Sequence, residues 1–587
     1  MKKNTLKVVL WICALLVLVL AIAFPSKEWA YIVELVLSLA IIGTLAYEAR
    51  KEYNAAKVVL IALIGFMIFS WIVPAAYYSG QYVEQGRVQM GLFDLFNYPM
   101  TALSYFGYIA FYFVLVGGFY GILYKIPAYR SLLDKIVGNA AGKEKIALSI
   151  MVVVISLLVS VCGLHFGIAI LIPFVVAIIL LMGYDKIVAA MVTVGSIGAG
   201  LIGSTYAYNN LSVMLESFGL KYDYEIGVRF VLLAVGVALV IFNVLMYIKR
   251  NLDNVRIEKK TVKKVEEKVV EVKVTTTKTE TKKPVKKSSN SRSNSSKKST
   301  SKSSKSKSRR SDNKAALKDE DIIVVKDSYN YNDDDDLIPT EVSKGHKFGV
   351  LSVLLFLLFI ILILAFFTWG DNGFKIKLFD DMTTGVTKFE LFKFPIFGKI
   401  LGTVNAFGNW SLTDMFLPMI LVALLSAFIY QVPADEVLDG FVAGAKKALS
   451  TAAIVILVYS VLVLVTYHPF QTVIYKVVLG WSEKFNIFTT VVVSLLAGLF
   501  NSDISYSFQS VIPYYVSVVG GLKDKALAAV IFQSMYGLST LVMPTSLILL
   551  GTLSYLGVSY KDWLKNSWKL LLELLVVLLI VFIILAL

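Results

Sequence analysis

The sequence predicts an all-α, polytopic membrane protein made of two inverted repeats, each with a re-entrant hairpin and a broken helix, joined by a long disordered linker. Three observations carry this expectation. The 587-residue chain is 57% apolar with a mean hydropathy of +0.72, and many of its runs approach the roughly 20 apolar residues that cross a bilayer. Sequence marks in the first half recur in the same order in the second. Polar clusters interrupt apolar segments at matching places in each half.

The N-terminus, "MKKNTLKVVLWICALLVLVLAIAFPS", has the basic start, apolar centre and small residues (Ala21, Ala23) of a cleavable signal. Its apolar stretch is long for a signal, and a second apolar helix follows at about 30–47. It therefore reads as a retained first span. The expected organisation is two extra N-terminal helices (1–50), a first repeat (51–248), a linker (249–347) and a second repeat (348–587).

The formal net charge of +16 is concentrated in the linker. Residues 249–347 hold 27 of the 57 Lys and Arg and 16 of the 41 Asp and Glu, a local excess of +11. The tract "KKSSNSRSNSSKKSTSKSSKSKSRR", followed by "YNDDDDLIPT", cannot bury enough apolar area to fold. It reads as a solvated tether, with attraction to anionic lipid as the sharper alternative. Nucleic acid is disfavoured because no aromatic residues interleave with its lysines. Two cysteines and three histidines give neither a disulfide framework nor a metal pattern. With no Gly-rich phosphate loop and no nucleophile–base constellation, an ATP-driven pump and an enzyme are both disfavoured.

The repeat is legible in three pairs. "FDLFNYP" (93–99) returns as "FELFKFP" (389–395), Pro127-Ala128 as Pro433-Ala434, and "GYDKIVAA" (183–190) as "LKDKALAA" (522–529). From Pro127 to Asp185 is 58 residues and from Pro433 to Asp524 is 91. The 33 extra residues suffice for one more crossing, with 451–467 as its core. An odd insertion inverts everything after it, the arrangement of alternating-access carriers. Lys and Arg cluster before the first helix, at 124–145 and at 249–250, which places the N-terminus and the linker in the cytoplasm.

In "LFNSDISYSF" (499–508), Asp503 sits inside an apolar segment. The arms on either side are shorter than a 30 Å core, so the segment reads as a re-entrant hairpin with its tip at Asn501, Ser502 and Asp503. The first half matches it with a hairpin whose tip, "GLHFG" (163–167), carries His165. Each hairpin precedes a helix broken by polar residues. One break is "GSTYAYNN" (203–210), with Ser204, Thr205, Asn209 and Asn210; the other is "VMPTS" (542–546), with Pro544, Thr545 and Ser546. Such unpaired backbone survives at membrane depth only in protein or beside water. These residues, with Ser505 and Gln533, are the candidate solute and ion site. Each has a plainer alternative: Asp503 as a locally bonded turn residue, His165 as a neutral packing residue, the hydroxyls as caps for helix backbone.

On "FVLVGGFYGIL" (113–123), "GYDKI" (183–187), "FVAGAKKAL" (441–449), "FQSMYGLSTLVMPTS" (532–546) and "DWLK" (562–565), the chain resembles a divergent member of the YfcC/DcuC-type carriers. That group includes putative basic amino acid antiporters and anaerobic C4-dicarboxylate carriers. The resemblance implies a secondary carrier with scaffold and transport parts and elevator-type motion, with Pro544, Thr545, Ser546 and Gln533 at matching positions. The chain departs where such relatives carry acidic residues: His165-Phe166-Gly167 replaces a glutamate pair and Tyr536 replaces an aspartate. An Asn-Pro is replaced by Asn209-Asn210, and a Ser/Gly-rich tip by Asn501-Ser502-Asp503.

The function expected is secondary active transport of a small charged organic solute in the inner membrane of a bacterium. The first choice of solute is an amino acid with its amine on Asp503; the alternative is a C4-dicarboxylate, with Asp503 binding the coupling ion. Cationic side chains in the site would favour the dicarboxylate. A third alternative is a non-transporting protein whose linker recruits partners. No cofactor is expected beyond a coupling Na⁺ or H⁺; a homo-oligomer is compatible with this reading.

Overall fold

The computed structural model describes residues 54–72, 76–78, 81–83, 90–277, 337–339, 347–370 and 373–587, with Thr44. The expected N-terminal helices lie outside the described residues, as does most of the linker. Two units are distinguished: 1–255 with 335–587, and 256–334. Of the second, only a helical stretch is described.

Among the described residues the regular structure is helical apart from a two-stranded antiparallel turn, β1 (Ala76–Tyr78) with β2 (Gln81–Val83). The first half comprises α1 (Ala55–Ile72), α2 (Asp94–Tyr124), α3 (Pro127–Ala140), α4 (Glu144–Cys162), a 3₁₀ turn (Gly167–Ile170), α5 (Ile172–Leu181), α6 (Lys186–Ile202), α7 (Tyr208–Phe218) and α8 (Ile226–Thr277). The second comprises α9 (Gly349–Phe366), α10 (Leu378–Lys388), α11 (Ile396–Leu401), α12 (Phe416–Ile429), α13 (Ala434–Tyr467), α14 (Phe470–Leu479), α15 (Ile487–Phe500), α16 (Ile504–Val518), α17 (Leu522–Val542), α18 (Leu547–Leu556) and α19 (Tyr560–Ala586). Seven stretches among the described residues are long and apolar enough to cross a membrane. The chain is a multi-pass membrane protein.

The repeat marks fall at equivalent structural points. Pro127 opens α3 and Pro433 caps α13. Asp185 caps α6, accepting from the Val188 amide at 2.8 Å, and Asp524 lies in the first turn of α17. Of the 33 extra residues of the second half, 20 lengthen α13 to 34 residues where the first half has the 14-residue α3, and most of the rest form the short α14 (Phe470–Leu479). The first mark diverges in consequence: 93–99 starts the long α2, whereas 389–395 is a loop ahead of the short α11.

The hairpins and breaks lie where apolar runs fail. Hairpin arms α15 and α16 have 14 and 15 residues, about 21–23 Å at 1.5 Å per residue and short of a 30 Å core. The first hairpin is α4 with α5; Gly163 ends α4 at φ +70°, a left-handed conformation open to glycine. α6 and α17, apolar all round, are buried along most of their length. Helix α2 packs along α13 through two glycine pairs: a Cβ on Gly117 would meet the Gly444 carbonyl oxygen at 2.5 Å, and one on Gly440 the Gly121 carbonyl oxygen at 2.7 Å. Small residues four apart allow this backbone contact in lipid, where van der Waals packing holds helices together.

Candidate functional site

Each hairpin tip is stitched to the break of its own repeat. In the first half the Thr205 amide donates to the Ser160 carbonyl at 2.8 Å, and the Ser160 hydroxyl donates to the Gly203 carbonyl at 2.6 Å. In the second half the Leu547 amide donates to Ser502 Oγ at 2.8 Å and Thr545 Oγ1 donates to the Leu499 carbonyl at 2.5 Å. Tyr536 joins the two halves. Its hydroxyl donates to the Ser502 carbonyl at 2.6 Å and lies 3.3 Å from His165 Nε2. Tyr536 thus ties both tips together.

The carbonyls freed at the breaks are covered by protein. Gln533 Nε2 donates to the carbonyls of Ile202 at 3.2 Å and Ser204 at 3.0 Å, and its Oε1 accepts from the Tyr224 hydroxyl at 2.9 Å. Arg229, fully buried, donates to the Ser204, Thr205 and Tyr222 carbonyls at 3.3, 2.8 and 2.5 Å and stacks on the Tyr224 ring at 4.1 Å. At the second break Ser546 Oγ donates to the Thr540 carbonyl at 2.8 Å, while Tyr560 and Trp563 cover Val542 and Leu541. Arg229 was not among the candidates; its signal was one arginine at the head of the apolar run after "YEIGV".

Asp503 is the N-cap of α16. Its Oδ1 accepts from the Ser505 and Tyr506 amides at 2.9 and 3.2 Å. Asn501 is buried, with its Nδ2 3.5 Å from Ser510 Oγ and its Oδ1 unpartnered among the described residues. Ser204 Oγ and Asn210 Nδ2 are likewise buried without a partner there. Asn209 is exposed on the first turn of α7, as the break ends at Ala207. Ser505 is half-buried in the first turn of α16. His468 is buried, with Nε2 2.5 Å from the Tyr98 hydroxyl.

A cavity of about 420 Å³ lies between α2 and α13 on one side and the first hairpin and α18 on the other. This is within the usual range for small-molecule sites. Of the candidates, His165 lines it, and Pro544, Thr545, Ser546, Asp503 and the first break do not. Its wall includes Phe113, Tyr120, Thr451, Leu547, Ile548 and Thr552, the four glycines of the α2–α13 contact, and Lys125, Lys446 and Lys447. None of its lining residues, among those described, is Asp or Glu. Leu547 and Ile548 form the first turn of α18, so the positive end of that helix dipole borders the cavity.

Lys125 stands in the basic 124–145 stretch read as cytoplasmic, and nothing local marks any of the three lysines as a cavity residue. Lys125 follows α2, while Lys446 and Lys447 lie on α13 some 320 positions later. The glycine contact brings them to one wall.

No curated protein matches the chain. The profile of the DcuC family, described as C4-dicarboxylate anaerobic carrier, matches residues 31–288 and 318–587. That match covers both repeats. A duplicated helical core with paired hairpins, and a cavity between the first hairpin and the α2–α13 pair, is the setting in which it falls, and the chain belongs to the C4-dicarboxylate anaerobic carrier family, a family of transporters.

Proposed function

We infer that this protein is a secondary carrier of C4-dicarboxylates. The observation that carries the reading is the basic character of the cavity wall: Lys125, Lys446 and Lys447 line it, and no Asp or Glu is among its described lining residues. An α-amino group entering this cavity would meet like charge and no partner, whereas a dianion would be drawn in. His165, Thr451 and Thr552 supply polar contacts, and the first turn of α18 adds the helix dipole. This favours the dicarboxylate over the amino acid expected first from sequence.

Asp503 then takes the second role considered for it, as part of a coupling site for Na⁺ or H⁺ at the opposite hairpin. The short arms of the second hairpin, α15 and α16, support its re-entrance, and the compact stitching of tips to breaks supports elevator-type motion of that part against α2 and α13. The Lys and Arg bias supports a cytoplasmic linker face in the inner membrane of a bacterium.

Counterflow in proteoliposomes tests the reading. Vesicles preloaded with succinate or fumarate should take up labelled succinate, and vesicles preloaded with arginine, ornithine or neutral amino acids should not. Lys446→Glu with Lys447→Glu should lower initial succinate uptake roughly tenfold at low salt and less at 0.15 M, because screening shortens the reach of the charges. Trans-stimulation by an amino acid alone would refute it.

A further inference from the structure

A three-residue piece of the linker is built into the wall of the cavity. Leu337 is 2% exposed, Pro339 is buried, and Ile338 and Pro339 line the cavity beside Lys125 and Tyr124. Its backbone is held by two donors: the Tyr124 hydroxyl gives to the Leu337 carbonyl at 3.0 Å, and Arg130 Nη1 gives to the Pro339 carbonyl at 2.9 Å. Arg130 is itself oriented by Asp134, whose Oδ1 accepts from Nε at 2.9 Å. Pro339 fixes its own φ and biases Ile338 toward extended backbone, so little further ordering is needed to seat the segment. Only ten residues separate Pro339 from the start of α9. The segment therefore cannot travel more than about 35 Å from that helix and is always close to its seat.

We propose that Leu337–Pro339 is a plug for the linker-side mouth of the cavity, seated when the mouth is closed and withdrawn when it opens. Both contacts are to neutral carbonyls, and only Leu337 is buried deeply as an apolar anchor. Such an attachment is strong enough to hold a tethered segment and weak enough to release. The long basic linker then has a part in transport: whatever pulls on it changes how often the plug leaves. The inference rests on the carrier reading for its meaning, while the closure itself can be measured without any substrate.

The experiment is thiol accessibility of Thr552→Cys in a Cys13→Ala, Cys162→Ala background, with an impermeant maleimide applied to the face bearing the linker. The plug is loosened in two ways: Leu337→Asp, and Tyr124→Phe with Arg130→Gln, which leaves the plug sequence intact. Both should accelerate labelling about thirtyfold or more, the effect of losing one neutral and one charge-assisted hydrogen bond or the apolar anchor. Unchanged labelling in both would overturn the plug. Succinate counterflow by the unsubstituted protein separates the two readings: faster labelling of the loosened variants with no counterflow by the unsubstituted protein keeps the plug and removes the carrier reading, and counterflow with unchanged labelling does the reverse.

Discussion

Alanine at Gly117 or Gly440 should destabilise the protein, although alanine is the better helix former. A methyl on Gly117 would lie 2.5 Å from the Gly444 carbonyl oxygen and 2.6 Å from Ala448 Cβ. On Gly440 it would lie 2.7 Å from the Gly121 carbonyl oxygen and 2.9 Å from Lys125 Cγ. Ordinary contact begins near 3.4 Å, so α2 and α13 must part by up to about 0.9 Å. The obstructing atoms are largely backbone and cannot rotate away. Overpacking of this kind costs about 1–3 kcal/mol, against a gain of roughly 0.5–1 kcal/mol from helix propensity, leaving a net loss of about 0.5–2 kcal/mol. Gly65, in the middle of α1, has nothing within 4 Å of its Cβ position. Alanine there should stabilise by roughly 0.5–1 kcal/mol. Thermal midpoints of the purified protein, followed by loss of the monodisperse peak, read the signs directly. The Gly117→Ala, Gly440→Ala pair should cost less than the sum of its members, since the first methyl already separates the helices. If both single variants raise the midpoint as Gly65→Ala does, the backbone contact is not there, and the argument for a glycine-lined cavity wall fails with it.

Arg229→Met should lower the thermal midpoint, by an amount equivalent to about 2–4 kcal/mol, because it strips the donor from the Thr205 and Tyr222 carbonyls and leaves the Ser204 carbonyl to Gln533 alone. A rise instead would mean that the desolvation cost of a buried guanidinium outweighs its bonds. Asp503→Asn should keep the fold, since asparagine caps a helix as well as aspartate does. It should retain succinate exchange while losing accumulation driven by a Na⁺ or H⁺ gradient. Loss of exchange as well would move Asp503 into the solute site.

Much of the scaffold was legible because its signals are local. An arm of 14 apolar residues is too short to span, whatever surrounds it. A proline in "VMPTS" removes a helix donor wherever the helix goes, and the break at 543–546 follows. The site was less legible for the same reason. Thr545, Ser546, Gln533 and Ser502 are polar residues in apolar runs, which marks ligands and backbone caps alike, and in the folded chain each makes a hydrogen bond to backbone or holds an amide. Whether a hydroxyl faces a cavity depends on neighbours hundreds of residues away.

The sequence by itself determined the membrane class, the duplication, the two hairpins and the two breaks, since apolar run length, proline and repeated marks act within one segment. Tertiary structure decided which polar groups are used up in covering backbone, that Tyr536 bridges the two tips, and that Lys125 meets Lys446 and Lys447 across the α2–α13 glycines. It also decided that two residues of a linker read as a plain tether, Ile338 and Pro339, sit in the cavity wall. Burial and charge at a site are sums over packed neighbours, and packing assembles those neighbours from segments that no local pattern relates.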